Sequence, residues 1–240
     1  MDIVQLKAHL STLADSLREQ KKMLLRARLE GLISAFPFNE FEYSLMFLLD
    51  NKVISFGEYE KLRSDYVSSN KFLELYELAP RIFGEIWAQQ HIRDLDKRFL
   101  RPQRSLDPSY VGEYDLWIQN VKVEVKACRA INTKKRGSLV SKALAYGSGD
   151  PFWMNFQQIK IAACDAFIFV GVWVNEIAYW LLSRDEVKAN RYLSHQHRGG
   201  IEYQIGITDR NIREFEKYRV QPTEIAEKIL LIRPSNPKGP

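Results

Sequence analysis

Residues 113–126 read EYDLWIQNVKVEVK, and apolar and polar residues alternate on both sides of a Gln-Asn dipeptide. Alternation with a period of two is typical of a β-strand with one buried face. Asn tolerates a positive φ angle, so Gln119 and Asn120 suit a two-residue hairpin turn. The stretch therefore predicts two antiparallel strands, near 113–118 and 121–127.

The predicted register brings two carboxylates together. Asp115 faces Glu124 across the hairpin, with their Cβ atoms roughly 5 Å apart. Lys126 shares their face, while the valines at 121, 123 and 125 point toward the core. Carboxylates this close repel unless a cation lies between them, so we expect a site for a hard divalent cation such as Mg²⁺. Such a cation polarises a phosphoryl oxygen and activates water. The alternative is a solvated hairpin face.

Composition excludes several classes of protein. The chain has 240 residues, of which 45% are hydrophobic and 27% charged, so we expect a folded globular protein. It contains no apolar run of 18 residues and no signal-peptide pattern, which predicts a cytosolic protein with no membrane span. Its two cysteines, Cys128 and Cys164, are too few for a disulfide scaffold or a cysteine-based zinc site.

Charge is distributed unevenly along the chain. The formal net charge is +5, with 10 basic and 12 acidic side chains in residues 1–80 and 25 and 18 in residues 81–240. A basic excess in one part of a chain indicates a face that binds a polyanion such as nucleic acid. The alternative is a basic surface that is merely solvated.

Residues 1–75 are expected to form a helical N-terminal region that contributes to dimerisation or clamps DNA. Leucines from Leu6 to Leu24 follow heptad spacing, which fits either a short coiled-coil seam or a helix packed on its own domain. Ser55 and Glu58 have the spacing of a capping box, so a helix should begin after Ser55. Residues 76–240 are expected to form the catalytic domain.

The catalytic domain mixes strands and helices. A helix is predicted from Pro80 toward Phe99, and another near 152–163. Apolar runs predict further strands near 166–173, 177–182 and 202–208. This mixture favours an α/β or α+β catalytic domain.

These features resemble the PD-(D/E)XK nuclease superfamily, most of all its type II restriction endonucleases, over roughly residues 80–185. The resemblance rests on Glu85 in the helix before the hairpin, on Asp115, and on the triplet Glu124-Val125-Lys126. It also rests on the predicted order helix, hairpin, helix, strand, strand. Tyr114 stands where the motif name has proline, a residue that is often absent from the family.

The resemblance implies a restriction-endonuclease-like fold: an α/β domain whose mixed central sheet is flanked by helices. It implies Mg²⁺-dependent, sequence-specific hydrolysis of double-stranded DNA in a bacterial or archaeal cytoplasm, beside a cognate DNA methyltransferase. Asp115, Glu124 and the Val125 carbonyl would be metal ligands, and Lys126 would position the attacking water. Glu85 would help to bind or orient a metal. Because such DNA sites are two-fold symmetric, we expect a homodimer.

Three further groups of residues are candidates for DNA contacts. The segment 126–148 carries six basic side chains and no acidic one, so it suits a phosphate backbone. The loop 194–200 carries residue types that read base edges. The candidates are Arg101, Arg104, Arg129, Lys134, Lys135, Arg136, Lys142, Gln157, Lys160, His195, Gln196, His197 and Arg198.

Two other functions remain open. The first is a nuclease of the same fold that acts in DNA repair and cuts by structure or at random. The second is a DNA-binding protein whose carboxylates are not catalytic. An enzyme for small phosphorylated substrates has no support, because the chain lacks a glycine-rich phosphate loop.

Overall fold

The computed structural model describes residues 3–30, 37–195 and 202–232. Helices occur together with a mixed sheet, which confirms the α/β class at this level. The chain divides into two compact units, which comprise Met1–Glu77 with Lys135–Ser148 and Trp173–Glu176, and Leu78–Lys134 with Gly149–Val172 and Ile177–Pro240. No helix within the described ranges is long and apolar enough to cross a membrane.

Four helices form most of the described part of the first unit. They are α1 (Ile3–Ala14), α2 (Glu19–Glu30), α3 (Pro37–Asp50) and α4 (Phe56–Ser69). The heptad pattern does not produce one long helix, because a turn at residues 15–18 separates α1 from α2. The turn changes the helical phase, so Leu25 is buried while Leu24 is 42% exposed.

The capping box predicted at the start of α4 is confirmed. The Ser55 hydroxyl accepts a hydrogen bond from the Glu58 amide at 3.3 Å. The Glu58 carboxylate accepts from the Ser55 amide at 2.7 Å. The two bonds satisfy donors that would otherwise be free at the helix N-terminus.

All strands of the described residues belong to the second unit and form two sheets. The first sheet is mixed and has the order β1-β2-β5-β6-β9, with β2 parallel to β5. Its strands are Leu116–Ile118, Val121–Arg129, Ala166–Val172, Ile177–Ser183 and Arg219–Val220. The second is antiparallel, has the order β3-β4-β8-β7, and consists of Ile131–Asn132, Phe152–Ile159, Tyr203–Thr208 and Leu193–His195.

The helices of the second unit are short, except in the segment before the hairpin. One turn of π-helix, Ile82–Trp87, leads directly into α5 (Ala88–Leu95), and together they form the predicted helix after Pro80, which ends four residues before Phe99. The other described α-helices of this unit are α6 (Arg184–Lys188), α7 (Ile212–Phe215) and α8 (Ile225–Leu230).

The hairpin of β1 and β2 has the predicted register. Ile118 pairs with Val121, and Trp117 pairs with Lys122. Gln119 and Asn120 have φ angles of 42° and 69°, as the two-residue turn requires.

Gln119→Asn should stabilise the protein by about 0.5 kcal/mol, because Asn tolerates the left-handed conformation better than Gln does. Urea unfolding of both proteins measures the difference. The same substitution at the exposed Gln103, which has no positive φ, is the control. Equal effects at both positions would contradict the explanation.

The predicted helix near 152–163 is wrong, because the chain forms β4 there. Phe152, Met154 and Phe156 are buried, whereas Trp153 is 43% exposed and Gln157 is also exposed. This is the period of two that a strand with one covered face requires. Only Ile161–Ala163 is helical, as one turn of 3₁₀-helix.

The core of the second unit lies between its two sheets. Phe156 of β4 packs edge-on against Phe169 of β5, with ring centroids 5.1 Å apart, and contacts Trp180 of β6 in the same way. On β2, Glu124 and Lys126 pair with Phe167 and Phe169, so they share this covered face. Glu124 is consequently only 3% exposed and is not on a solvated face.

Candidate active site

A cavity of about 930 Å³ opens in the second unit beside the hairpin. It lies among the π-helix with α5, the loop before β1, the middle of β2 and the end of β4. Its charged lining residues are Arg81, Glu85, Arg93, Arg101, Glu113, Asp115, Glu124, Lys126 and Lys160. The cavity therefore gathers the hairpin carboxylates and lysine with charges from three other segments.

Asp115 lies immediately before β1 and is held by two donors. Its Oδ2 accepts from the Val125 amide at 2.8 Å, and its Oδ1 accepts from Gln89 Nε2 at 2.8 Å. The Asp115 amide donates to the carbonyl of Val123, although Val123 is already the strand partner of Leu116. The regular ladder thus ends at Leu116, and the predicted direct pairing of Asp115 with Glu124 is wrong. Because β1 ends there, the free edge of β2 binds the Asp115 carboxylate.

Glu124 is also held through both oxygens. Oε1 lies 2.8 Å from Lys126 Nζ, and Oε2 accepts from the Lys160 amide at 3.1 Å. The Lys160 amide is placed by an irregularity in β4, where the register shifts after Phe156 and Gln158 has a φ of 57°. Such bulges redirect a strand and are frequent next to active sites.

Burial raises the pKa of both carboxyl groups. For Asp115, the Val125 amide and the charges of Lys126 and Lys160 oppose this rise in pKa, and Glu85 adds to it. For Glu124, Lys126 and the Lys160 amide lower the pKa, and Asp115 raises it. The two carboxylates therefore act on each other electrostatically, and burial outweighs the nearby cations.

In metal-free solution, the stability of Glu124→Gln relative to the unaltered protein should increase as the pH rises. Because folding raises the pKa of Glu124, the folded state holds this proton more tightly than the unfolded chain does. The contribution of this proton to the free energy of unfolding is complete below about pH 4, and it is lost as the pH rises through the folded-state pKa of Glu124. Gln does not titrate.

Urea unfolding of both proteins in EDTA, from about pH 4 to pH 8, measures this difference. A difference that stays constant across the range would contradict the assigned burial of the Glu124 charge.

The helix before the hairpin contributes two residues to the site. Glu85 is exposed, pairs with Arg81 at 2.9 Å, and acts on the pKa of Asp115. Gln89, which the sequence analysis missed, follows Glu85 by four residues and so shares its helix face. That spacing is the signal that would have identified it. Tyr114, at the position of the motif proline, is buried and donates to Asp107 at 3.1 Å.

Three of the predicted DNA contacts line the cavity, namely Arg101, Gln157 and Lys160. Gln157 belongs to β4 and Lys160 follows it, so neither residue lies on the helix that the sequence predicts near 152–163. Arg104 is exposed, and its Nε lies 3.4 Å from the Tyr110 carbonyl.

The structure separates the basic residues that follow the hairpin. Arg129 is 7% exposed, donates to the Leu78 carbonyl and lies 3.9 Å from the centre of the Phe83 ring, so a phosphate contact from it is disfavoured. Lys134 belongs to the second unit. Lys135, Arg136 and Lys142 belong to the first.

The predicted recognition loop is described only at its start. His195 ends β7, and its exposed ring lies against Tyr203 with centroids 4.5 Å apart. His195 does not line the described cavity. Gln196, His197 and Arg198 lie outside the described residues.

The donor set suits one hard cation with few protein ligands. No group of three or more His, Cys, Asp or Glu side chains that could hold a metal occurs among the described residues. Asp115 and Glu124 nevertheless supply oxygens, and the N–H and C=O of Val125 point to the same strand edge. Each carboxylate oxygen accepts one described bond and retains a lone pair. Mg²⁺ keeps several waters, so these ligands fit it.

The arrangement joins two carboxylates to an ammonium group beside a cavity large enough for a polar substrate. Two carboxylates and a lysine are groups that can serve in metal-assisted phosphoester hydrolysis. No protein-family model matches the sequence, and no curated protein matches it significantly.

Proposed function

We propose that the protein is an Mg²⁺-dependent endonuclease that hydrolyses double-stranded DNA at specific sequences, in the manner of type II restriction endonucleases. The observation that carries the proposal is the convergence of Asp115, Glu124 and Lys126 at one edge of a mixed sheet. Charge supports a DNA substrate, because residues 81–240, which supply all the cavity lining except Pro80, carry 25 basic and 18 acidic side chains.

In this proposal, Asp115, Glu124 and the Val125 carbonyl hold Mg²⁺. When bound, the cation supplies Lewis-acid stabilisation of negative charge on a phosphoryl oxygen and lowers the pKa of water. Gln89 and the Val125 amide fix the orientation of the Asp115 carboxylate. Lys126, which pairs with Glu124, supplies an ammonium at the same point to orient the attacking water and to stabilise developing charge.

The architecture supports a restriction-endonuclease-like fold for the second unit. The hairpin β1–β2 is followed in the sheet by β5, parallel to β2, and by the antiparallel β6. The segment Ile82–Leu95 contributes Gln89 to the site. In this proposal, it corresponds to the helix that precedes the hairpin in the PD-(D/E)XK superfamily. β4, which lies where a helix was predicted, adds Asn155, Gln157 and Gln158 to the cavity.

Sequence-specific cutting implies three further properties. A homodimer would match the two-fold symmetry of short DNA sites. A cognate methyltransferase would protect the host DNA by modifying the same sequence, which implies no direct contact with this chain. The reaction would take place in the cytoplasm of a bacterium or archaeon.

A cleavage assay tests the proposal. Purified protein is incubated with a long, unmethylated DNA of known sequence in Mg²⁺, with EDTA as the control, and the products are separated on a gel. Discrete bands that disappear in EDTA are the expected result. A smear would replace sequence-specific cutting with structure-directed or random cutting. Intact DNA that shifts in a binding gel would indicate the non-catalytic DNA-binding protein.

A further inference from the structure

The cationic residues of the cavity fall into two groups. Arg81 and Lys126 pair with the site carboxylates Glu85 and Glu124, at 2.9 and 2.8 Å. The other three, Arg93, Arg101 and Lys160, make no ion pair with any residue that the structure describes. The second group therefore has charge available for an anion that enters from outside.

Arg93 is the best-defined member of this group. It is partly buried, and its Nη1 donates to the Gln90 side chain at 3.0 Å. Its Nε is buried without a hydrogen-bond partner. Hydrogen bonds from Lys97 and Gln90 to Oδ1 lower the pKa of the adjacent Asp94, and the charge of Arg93 lowers it further. The Asp94 carboxylate therefore already has partners other than Arg93. A partly desolvated guanidinium with an unused donor gains from an anionic partner.

Position separates the two arginines from Lys160. The largest electrostatic effects on Asp115 come from Lys126, Lys160 and Glu85. Arg93 follows Gln89, the residue bonded to Asp115, by one helical turn, or about 6 Å along the axis. Arg101 is exposed on the loop after α5. Lys160, whose amide bonds to Glu124, thus lies at the carboxylates, whereas Arg93 and Arg101 line the same cavity from the helix and from the loop after it.

We infer that Arg93 and Arg101 form an outer anion subsite that binds phosphate groups flanking the scissile one. The inference rests on the proposed function and assigns two residues that bind its DNA substrate beside the scissile phosphate. Phosphodiester chains carry a charge at every nucleotide, and arginine binds phosphate oxygens bidentately with its planar fork. A phosphodiester without neighbouring phosphates therefore does not use this subsite.

The test compares Arg93→Gln and Arg101→Gln with Arg210→Gln. Arg210 is exposed, makes no ion pair with a described residue and does not line the cavity, so it is a matched control. Binding of a fluorescent 20-base-pair duplex is measured in EDTA at several salt concentrations. Hydrolysis of bis(p-nitrophenyl) phosphate is measured separately with Mg²⁺.

Each cavity variant should weaken duplex binding roughly tenfold and reduce the salt slope by about 1, while small-ester hydrolysis stays within about twofold. Arg210→Gln should change neither. Cavity variants that bind DNA as Arg210→Gln does would overturn the inference. A parallel loss of small-ester hydrolysis would also overturn it, because the arginines would then act at the reacting phosphate.

A titration with tripolyphosphate, without metal, separates failure of the subsite from failure of the proposed function. Both cavity variants should bind tripolyphosphate more weakly than Arg210→Gln does. If they do, and the unaltered protein cuts no DNA, then the subsite is supported and the nuclease proposal fails. Equal affinity for tripolyphosphate in all three variants would overturn the subsite, whatever the protein does to DNA.

Discussion

Glu124→Gln should reduce DNA cleavage at least 1,000-fold, or about 4 kcal/mol of transition-state stabilisation, and leave the fold intact. Gln has nearly the same volume as Glu, and its side-chain oxygen can still accept from the Lys160 amide. What it loses is the negative charge that pairs with Lys126 and, in our proposal, binds Mg²⁺. The effect on rate should therefore be large and the effect on structure small.

The matched control for this prediction is Glu113→Gln. Glu113 lines the same cavity, but its carboxylate accepts from the Val111 amide of its own loop. Its activity should stay within about threefold of the unaltered protein, and cleavage rates on one duplex at saturating Mg²⁺ measure both variants. If Glu124→Gln keeps more than a tenth of the activity while circular dichroism shows a native fold, the assignment of Glu124 is wrong.

The hairpin was predictable because local rules determine it. Period-two alternation specifies which side chains share a face, and the Gln119-Asn120 turn sets the register. The grouping of Glu124 with Lys126 follows from that pattern alone. The position of Asp115 was predictable from this pattern only in part. Its amide donates to the carbonyl of Val123, which is already the strand partner of Leu116, and strand periodicity does not predict such an irregularity.

The remaining parts of the site depend on contacts between distant segments. Gln89 reaches Asp115 across 26 positions, and the Lys160 amide reaches Glu124 across 36. The sequence predicts a helix in place of β4 because the buried positions of this strand shift after Phe156, so the period of two is interrupted. The burial of Glu124 depends on this same strand, since β4 belongs to the sheet that covers its face. Because the sequence predicts a helix in place of β4, it does not predict the burial that raises the pKa of Glu124.

Gly171→Ala should destabilise the protein by about 2–3 kcal/mol, which is roughly 5–10 °C in Tm for a chain of this size. A Cβ at Gly171 would lie 2.7 and 2.9 Å from two ring carbons of Trp180 and 3.1 Å from Met154 Sδ. Both neighbours are fully buried between the two sheets. Neither can yield without disturbing the packing that holds β5 beside β2.

Two comparisons isolate the cause of this destabilisation. Gly57→Ala in α4 meets nothing within 4 Å and should stabilise the protein by about 0.5 kcal/mol. Trp180→Phe shortens the ring system that the new methyl group strikes, so combining it with Gly171→Ala should cost less than the sum of the two single changes. Thermal and urea unfolding of the four variants and of the unaltered protein measure these differences. Strictly additive costs would show that the contact with Trp180 is not what makes glycine necessary in β5.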